Sequence, residues 1–200
     1  NVASPAAPTE AGAFNHESAD LAVAGNVLYS ADQHGGLATV DVADLAAPTR
    51  LGFYDVPGAG GSITAIGNYI YLGDPEAVHV VDAGHPSTPI QVTKTEAGTY
   101  VENMTWLGNY LCTVRGDTLR IMDVTNPAAP NEVGSLGLQN GEHIAMLGDY
   151  VYITGYEGSL TIIDIANPAV PTKVIDFDTP GSSNDIAVSG HHAYIADGQK

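Results

Sequence analysis

Basic residues are scarce: six Lys plus Arg stand against twenty-three Asp plus Glu, a formal net charge of −17. A surface of that sign repels nucleic acid and anionic lipid, which excludes phosphate-backbone binding. Charged residues of both signs together reach only 14%, and the 44% apolar content is enough to bury a core, which excludes a disordered chain. A single cysteine, Cys112, rules out an internal disulfide framework; inside an apolar run it reads as a buried free thiol, and the redox compartment stays open. No apolar run approaches the ~20 residues that a membrane-crossing helix needs, so direct membrane insertion is not expected. The chain starts at Asn1 with neither a methionine nor a signal-like segment, as a processed product or an excerpt would.

What is present is a period. Four segments end in an aspartate: Leu37-Ala-Thr-Val-Asp41, Val78-His-Val-Val-Asp82, Leu119-Arg-Ile-Met-Asp123 and Leu160-Thr-Ile-Ile-Asp164, with successive aspartates 41 residues apart. Behind each comes a turn with prolines three apart, Pro86 and Pro89, Pro127 and Pro130, Pro168 and Pro171; Leu45 replaces the first before Pro48, and Pro5 and Pro8 open a fifth copy. Further on stands a glycine with a polar or imidazole neighbour and then, in four of five copies, tyrosine: Gly25 and Tyr29, Gly67 and Tyr71, Gly108 and Cys112, Gly148 and Tyr152, Gly190 and Tyr194.

Each unit holds four short runs rich in β-branched and aromatic residues, bounded by Gly, Asn, Asp or Pro, which is strand chemistry and leaves no room for a helix. Gly-Asn and Gly-Asp between the first two runs predict tight hairpins whose central residues both need positive φ. Several runs are apolar on both faces, as in Thr161-Ile162-Ile163, so an isolated sheet could not hide them and the sheets must stack. Four antiparallel strands per unit of this length make a propeller blade. The expected fold is all-β: a five-bladed β-propeller forming one domain over residues 1–200, with repeat boundaries near 20, 62, 103, 143 and 185.

Both ends fall in mid-repeat. Residues 185–198 supply two strands of a fifth blade and residues 1–15 its turn and fourth strand, so the blade is expected to be shared by the two termini as a latch, lacking its third strand. A chain trimmed from a longer one, an irregular blade, and a strand inserted by another molecule all remain open as explanations.

The segments Leu160-Thr-Ile-Ile-Asp164 with Ile-Ala-Asn-Pro-Ala-Val-Pro171, and Leu119-Arg-Ile-Met-Asp123 with Val-Thr-Asn-Pro-Ala-Ala-Pro130, resemble the LVIVD-repeat family. The resemblance covers essentially the whole chain and implies a β-propeller of secreted or cell-surface proteins. It implies no catalytic motif. Leu45 for proline, Gly84-His85 in the second turn and Cys112 for tyrosine depart from the pattern.

Asp41, Asp82, Asp123 and Asp164 recur identically, which points to a structural role, since a carboxylate entering a turn can accept a backbone N–H bond. A second set lies where each inner strand begins, around one expected channel mouth: Asp20, Ser62, Asn103, His143 and Asp185, preceded by Ala19, Gly61, Glu102, Glu142 and Asn184. Oxygen donors dominate it, which suits a hard cation such as Ca²⁺ or a saccharide, against the plainer reading of solvated rim residues. No resident cofactor is expected. The histidines lack zinc-site spacing, and no Gly-x-Ser-x-Gly elbow is present. Tyr54, Tyr100, Trp106 and Tyr156 are candidate exposed aromatics, Trp106 being expected to pack in the core.

The expected function is a non-catalytic scaffold, extracellular or at the cell surface, making contacts with proteins, copies of itself included, by strand complementation that could build a filament. A Ca²⁺- or carbohydrate-binding module at the acidic mouth is the alternative. A third is a propeller glycoside hydrolase with Glu102 or Glu142 opposite Asp20 or Asp185.

Overall fold

The structure, a computed structural model, describes residues 6–32, 35–56, 61–74, 77–96, 101–156 and 158–198. The described residues contain no helix, and their strands form five antiparallel sheets in chain order. The first is β1(Ser18–Ala24), β2(Val27–Asp32), β3(Gly36–Asp41) and β4(Thr49–Tyr54), hydrogen-bonded in that order. The second is β5(Ser62–Ile66), β6(Tyr69–Gly73), β7(Ala77–Asp82) and β8(Ile90–Glu96). The third has β9(Asn103–Leu107), the long β10(Tyr110–Asp123) and β11(Asn131–Gly141). Here β10 covers the second and third strands of the other blades: its first part pairs with β9 and its last with β11, and Gly116 between them takes φ 51°. The fourth is β12(His143–Leu147), β13(Tyr150–Gly155), β14(Ser159–Asp164) and β15(Thr172–Asp178). The fifth has only β16(Ser182–Ser189) and β17(His192–Gly198).

The hairpin between the first two strands is the same in every blade. Ala24 pairs with Val27 and Leu147 with Tyr150, leaving two-residue loops. Gly25, Gly67, Gly108, Gly148 and Gly190 all have φ of 58–60°. Asn140 is the one non-glycine with positive φ among the described residues, so Asn26, Asn68 and Asn109 do not share the glycine's conformation. The expectation of two positive-φ residues is therefore corrected: a type II′ turn needs only its first position there, and glycine fills it without a Cβ clash.

Alternation along these strands produces two unlike apolar faces on each blade. One carries Tyr29, Ala31 and Leu37 in the first blade, Tyr71, Val78 and Val80 in the second, and Cys112, Leu119 and Ile121 in the third; call it the tyrosine face. The other carries Ile63, Ile70 and Val81 in the second blade, Met104, Leu111 and Met122 in the third, and Ile144, Val151 and Ile163 in the fourth; call it the aliphatic face. Each core cluster joins the tyrosine face of one blade to the aliphatic face of the next, so the core lies between blades. Tyr71, Ile70, Leu111, Leu119, Ile121 and Ile163 are at most 1% exposed. Full burial of one such side chain is worth about 1.5–3 kcal/mol, which makes the junctions the main source of stability.

The inner strands abut in the order β1, β5, β9, β12, β16, and no contact of similar extent joins β16 to β1. The expected latch is also absent from the described residues. Residues 6–17 form no strand; Gly12 lies against Leu45 and Ala46, in the place that Gly52 occupies against Pro86 and Ser87, and Gly134 against Pro168 and Ala169. The segment thus sits where the fourth strand of a blade preceding β1 belongs, and β17 pairs with β16 alone. The reason is geometric: a latch requires β16 to reach β1, and stacking at the four junctions leaves those strands apart.

If the junctions carry the stability, Ile121→Ala destabilises by about 2–5 kcal/mol, the range for emptying a buried aliphatic site. Val170→Ala, at a turn position 62% exposed, costs less than about 0.5 kcal/mol. Denaturant titration of both variants checks this, and equal losses would contradict it.

Candidate functional site

The four recurrent aspartates end the third strands, β3, β7, β14 and the last part of β10. Each Oδ1 accepts the backbone N–H two residues on, Ala43, Gly84, Thr125 and Ala166 respectively, all at 2.8 Å. That is the geometry of an Asx turn. Hydrogen bonds from the Thr125 side chain and backbone hold the Asp123 carboxyl below the usual carboxylate range. A second turn follows at once: Ala129 N–H donates to Asn126 O and Val170 N–H to Asn167 O, with Pro127 and Pro168 at the position where fixed φ suits a type I turn. Leu45 occupies that position in the first blade and the turn persists, Ala47 N–H donating to Asp44 O.

The mouth residues divide into two kinds. Asp20 Oδ2 accepts the N–H of Ile63 at 2.9 Å, and Ser62 Oγ accepts the N–H of Met104 at 3.1 Å, so both side chains reach across a junction to the next inner strand. Asp20 Oδ1 also accepts from Leu21 N–H at 2.8 Å. They act as ties between blades, a role that spacing along the chain does not reveal because the partner is more than forty residues away. Asn103 and His143 begin β9 and β12 and are half-buried. Asn184 and Asp185 lie exposed in β16 at the open end, where Asp185 Oδ1 accepts the N–H of its neighbour Ile186.

Glu102 and Glu142 are brought together. Their backbone N–H groups donate to Val114 O and Thr154 O, anchoring both beside the second strands. Glu142 is 5% exposed, and burial, with the Glu102 charge adding to it, pushes its carboxyl up to about 7. Among the described residues no three His, Cys, Asp or Glu side chains gather closely enough to hold a metal ion.

Sequence reasoning missed one buried polar cluster. His79, in β7, is held between Asp74 Oδ2 at 2.6 Å on Nε2 and Gln91 Oε1 at 2.7 Å on Nδ1, and Asp74 also accepts the N–H of Ala77. Only strand pairing brings these residues together, so no motif announced it. Trp106 is a correction: it is 39% exposed, because it lies near the end of β9 beyond the fully covered part of the junction. Tyr54 packs partly against the first core cluster, Tyr156 is exposed, and Tyr100 falls outside the described residues. The Cys112 thiol is fully buried in the tyrosine position of its junction, and burial pushes it up to about 12, which makes it chemically quiet.

With strands, turns and junctions repeating in step, the family is decided by the match of the LVIVD repeat model to residues 17–56, 57–96, 98–137, 140–179 and 180–200. The chain belongs to the LVIVD repeat family. Among solved structures it is similar to a functionally unknown protein from Desulfotomaculum acetoxidans DSM 771, with TM-score 0.77, 12% identity, and coverage of 92% of this chain and 64% of that one. It is similar to a chain of the mitotic checkpoint complex, with TM-score 0.72, 18% identity, and coverage of 88% and 59%. It is also similar to the Cps50 (Swd1) β-propeller domain of Myceliophteria thermophila, with TM-score 0.64, 15% identity, and coverage of 80% and 60%. At these identities the likeness shows the β-propeller fold alone, and the LVIVD chain spans less than two thirds of each of these structures. No curated protein matches it.

Two outcomes test the site geometry. Asp20→Ala removes the tie to Ile63 and costs about 1–2 kcal/mol, while Asp20→Asn, which keeps an acceptor oxygen, costs less than half of that in the same denaturant titration. For Glu142, the folded chain keeps a proton up to about 7 that an ordinary glutamate loses near 4.5, so folding binds a proton between those values. Stability therefore falls as pH rises through that window. Glu142→Gln removes this dependence: its thermal midpoint matches the parent's near pH 4.5 and exceeds it above pH 7.

Proposed function

We propose that the chain is a non-catalytic protein-interaction scaffold, working outside the cell or at its surface, in which the edge strand β17 receives a further strand from a partner. One observation carries this reading: β17 is a sheet edge beside uncovered apolar side chains of the preceding blade. In complete blades the second strand lies between two neighbours, whereas β17 has β16 on one side and no strand on the other among the described residues. Beside it, Phe177 of β15 is 60% exposed and Ile175 51%. Phe177 pairs with Leu160 as Tyr54 pairs with Leu37 and Leu136 with Leu119. Tyr54 and Leu136 pack against the core of the next blade; Phe177 has no such cover. A strand added along β17 gains backbone hydrogen bonds on one side and buries Ile175 and Phe177 on the other, the mode of β-augmentation.

Propellers among the similar structures occur in protein assemblies, the mitotic checkpoint complex being one, which agrees with a scaffold role. Repeated aspartates and prolines build turns, leaving loops and edges to make contacts. The Ca²⁺ or saccharide alternative rests on the Glu102–Glu142 pair alone.

A peptide of residues 158–164, the third strand of the fourth blade, is the natural probe for the slot. Excess peptide is expected to slow backbone hydrogen exchange in β17, and Ile175→Asp with Phe177→Asp to weaken binding at least about tenfold, since each side chain loses apolar burial. A scrambled peptide protects nothing. Exchange in β17 that is unchanged at saturating peptide would retire the slot.

A further inference from the structure

Successive junctions differ in how side chains of the third and fourth strands close their outer part. At the first, His79 of β7 meets Gln91 Oε1 of β8 at 2.7 Å; at the second, Arg120 of β10 meets Glu132 Oε2 of β11 at 3.1 Å. Gln91 and Glu132 share one register position, opposite Val81 and Met122, and Lys173, opposite Ile163, holds it in the fourth blade. There the pattern breaks, because Thr161 stands where His79 and Arg120 stand. Lys173 Nζ turns instead to Asp176 Oδ2 at 2.6 Å, and Thr161 Oγ1 donates to Asp176 Oδ1 at 2.8 Å. On the facing wall Gly137 of β11 has no side chain, and a Cβ there would meet only Asp117 O, at 4.0 Å. The two small residues leave a groove of about 420 Å³ between the third and fourth blades, each of which has a neighbouring blade on both sides.

The groove has the size of small-ligand sites, roughly 300–1,000 Å³, and unlike lining. Sites for apolar ligands are walled by hydrophobic and aromatic side chains, whereas Leu138 is the one apolar side chain here. Charge narrows the choice further. Hydrogen bonds from Lys173 and Thr161 hold the Asp176 carboxyl below the usual carboxylate range, so it stays ionised with both oxygens engaged. An ammonium already on Asp176 disfavours a cation; Asp178 and the formal charge of −17 disfavour an anion. Around this engaged pair stand Gln139, Asn140, Ser159 and Asp178, whose side chains make no hydrogen bond to another described residue. Together they offer amide and hydroxyl donors and amide, hydroxyl and carboxylate acceptors, the set that a ring of hydroxyl groups needs. Asn140 is also the one non-glycine with positive φ among the described residues, at 57°, and its carbonyl lies against Gly155, where any Cβ would collide. Backbone held in that region recurs at ligand sites. The hairpin that follows Gly155 carries Tyr156, 64% exposed, beside the same end of the groove.

We propose that the groove between β11 and β14–β15 is a binding site for a neutral saccharide. Gln139, Asn140, Ser159 and Asp178 bond its hydroxyls, Leu138 covers a C–H face, and the Lys173–Asp176 pair forms a fixed polar floor. The site lies apart from the channel mouth and from β17, so it stands or falls independently of the strand-binding reading.

Amide ¹⁵N–¹H spectra of the purified chain, titrated with maltotriose, cellotriose, chitotriose and mannotriose, test it. Saturable shifts at millimolar concentration are expected with at least one of the four, centred on residues 137–140, 159–161 and 173–178, and calcium chloride alone moves none of these signals. Gly137→Leu fills the groove and Asp178→Ala removes a charged acceptor, and each weakens binding at least about tenfold. Should Gly137→Leu fail to fold, Asp178→Ala, at an exposed position, decides the matter alone. No saturable shift with any of the four sugars, shifts centred on residues 102–103 and 142–143, the same shifts from calcium chloride, or undiminished affinity in Asp178→Ala would each overturn the proposal.

Discussion

Everything in this molecule depends on the contact between unlike faces of successive blades. A four-stranded sheet of this sequence is apolar on both sides, so none of the blades can be stable by itself. Tyr71 over Leu111 and Met122, or Leu119 and Ile121 against Val151 and Ile163, bury side chains that a lone sheet would leave wet. The remaining recurrent features keep the faces in register: the positive-φ glycines fix the first hairpin, the Asx turns fix the exit of the third strand, and Asp20 and Ser62 fasten one inner strand to the next. Local chemistry and the stacked arrangement agree at each of these levels, which is why the period survives substitutions such as Leu45 for proline and Cys112 for tyrosine.

An internal blade lies between two junctions, while β17 presents a sheet edge among the described residues. An unpaired edge offers backbone donors and acceptors to a further strand, and the proposed function concerns how that edge is covered.

Much of the fold was legible because strand and turn chemistry is local. The aspartates 41 residues apart, the glycines before the second strands and the double-sided apolar runs named the unit, its four strands and the need to stack. Ring closure was not legible. It depends on the angle between neighbouring sheets, which follows from side-chain volumes at the junctions and not from the period, and the latch expected from the two termini does not form among the described residues. The site was read less well than the fold. Asp20 looked like a rim ligand and proves to be a tie, because its partner Ile63 lies in the next blade. The histidines showed no zinc-site spacing, and His79 sits in a cluster with Asp74 and Gln91 that only cross-strand pairing assembles. Glu102 and Glu142 were singled out by position, and the structure does bring them together.

The central claim is that protection comes from junctions and not from strand content. Residue-resolved hydrogen exchange, at a dilution where the chain is monomeric, tests it most directly. Amides of β6, β10 and β13, each in a sheet flanked by junctions on both sides, are expected to exchange slowest and through global unfolding, with β17 exchanging orders of magnitude faster although it is an equally regular strand. Protection in β17 equal to that in β10 would contradict the account.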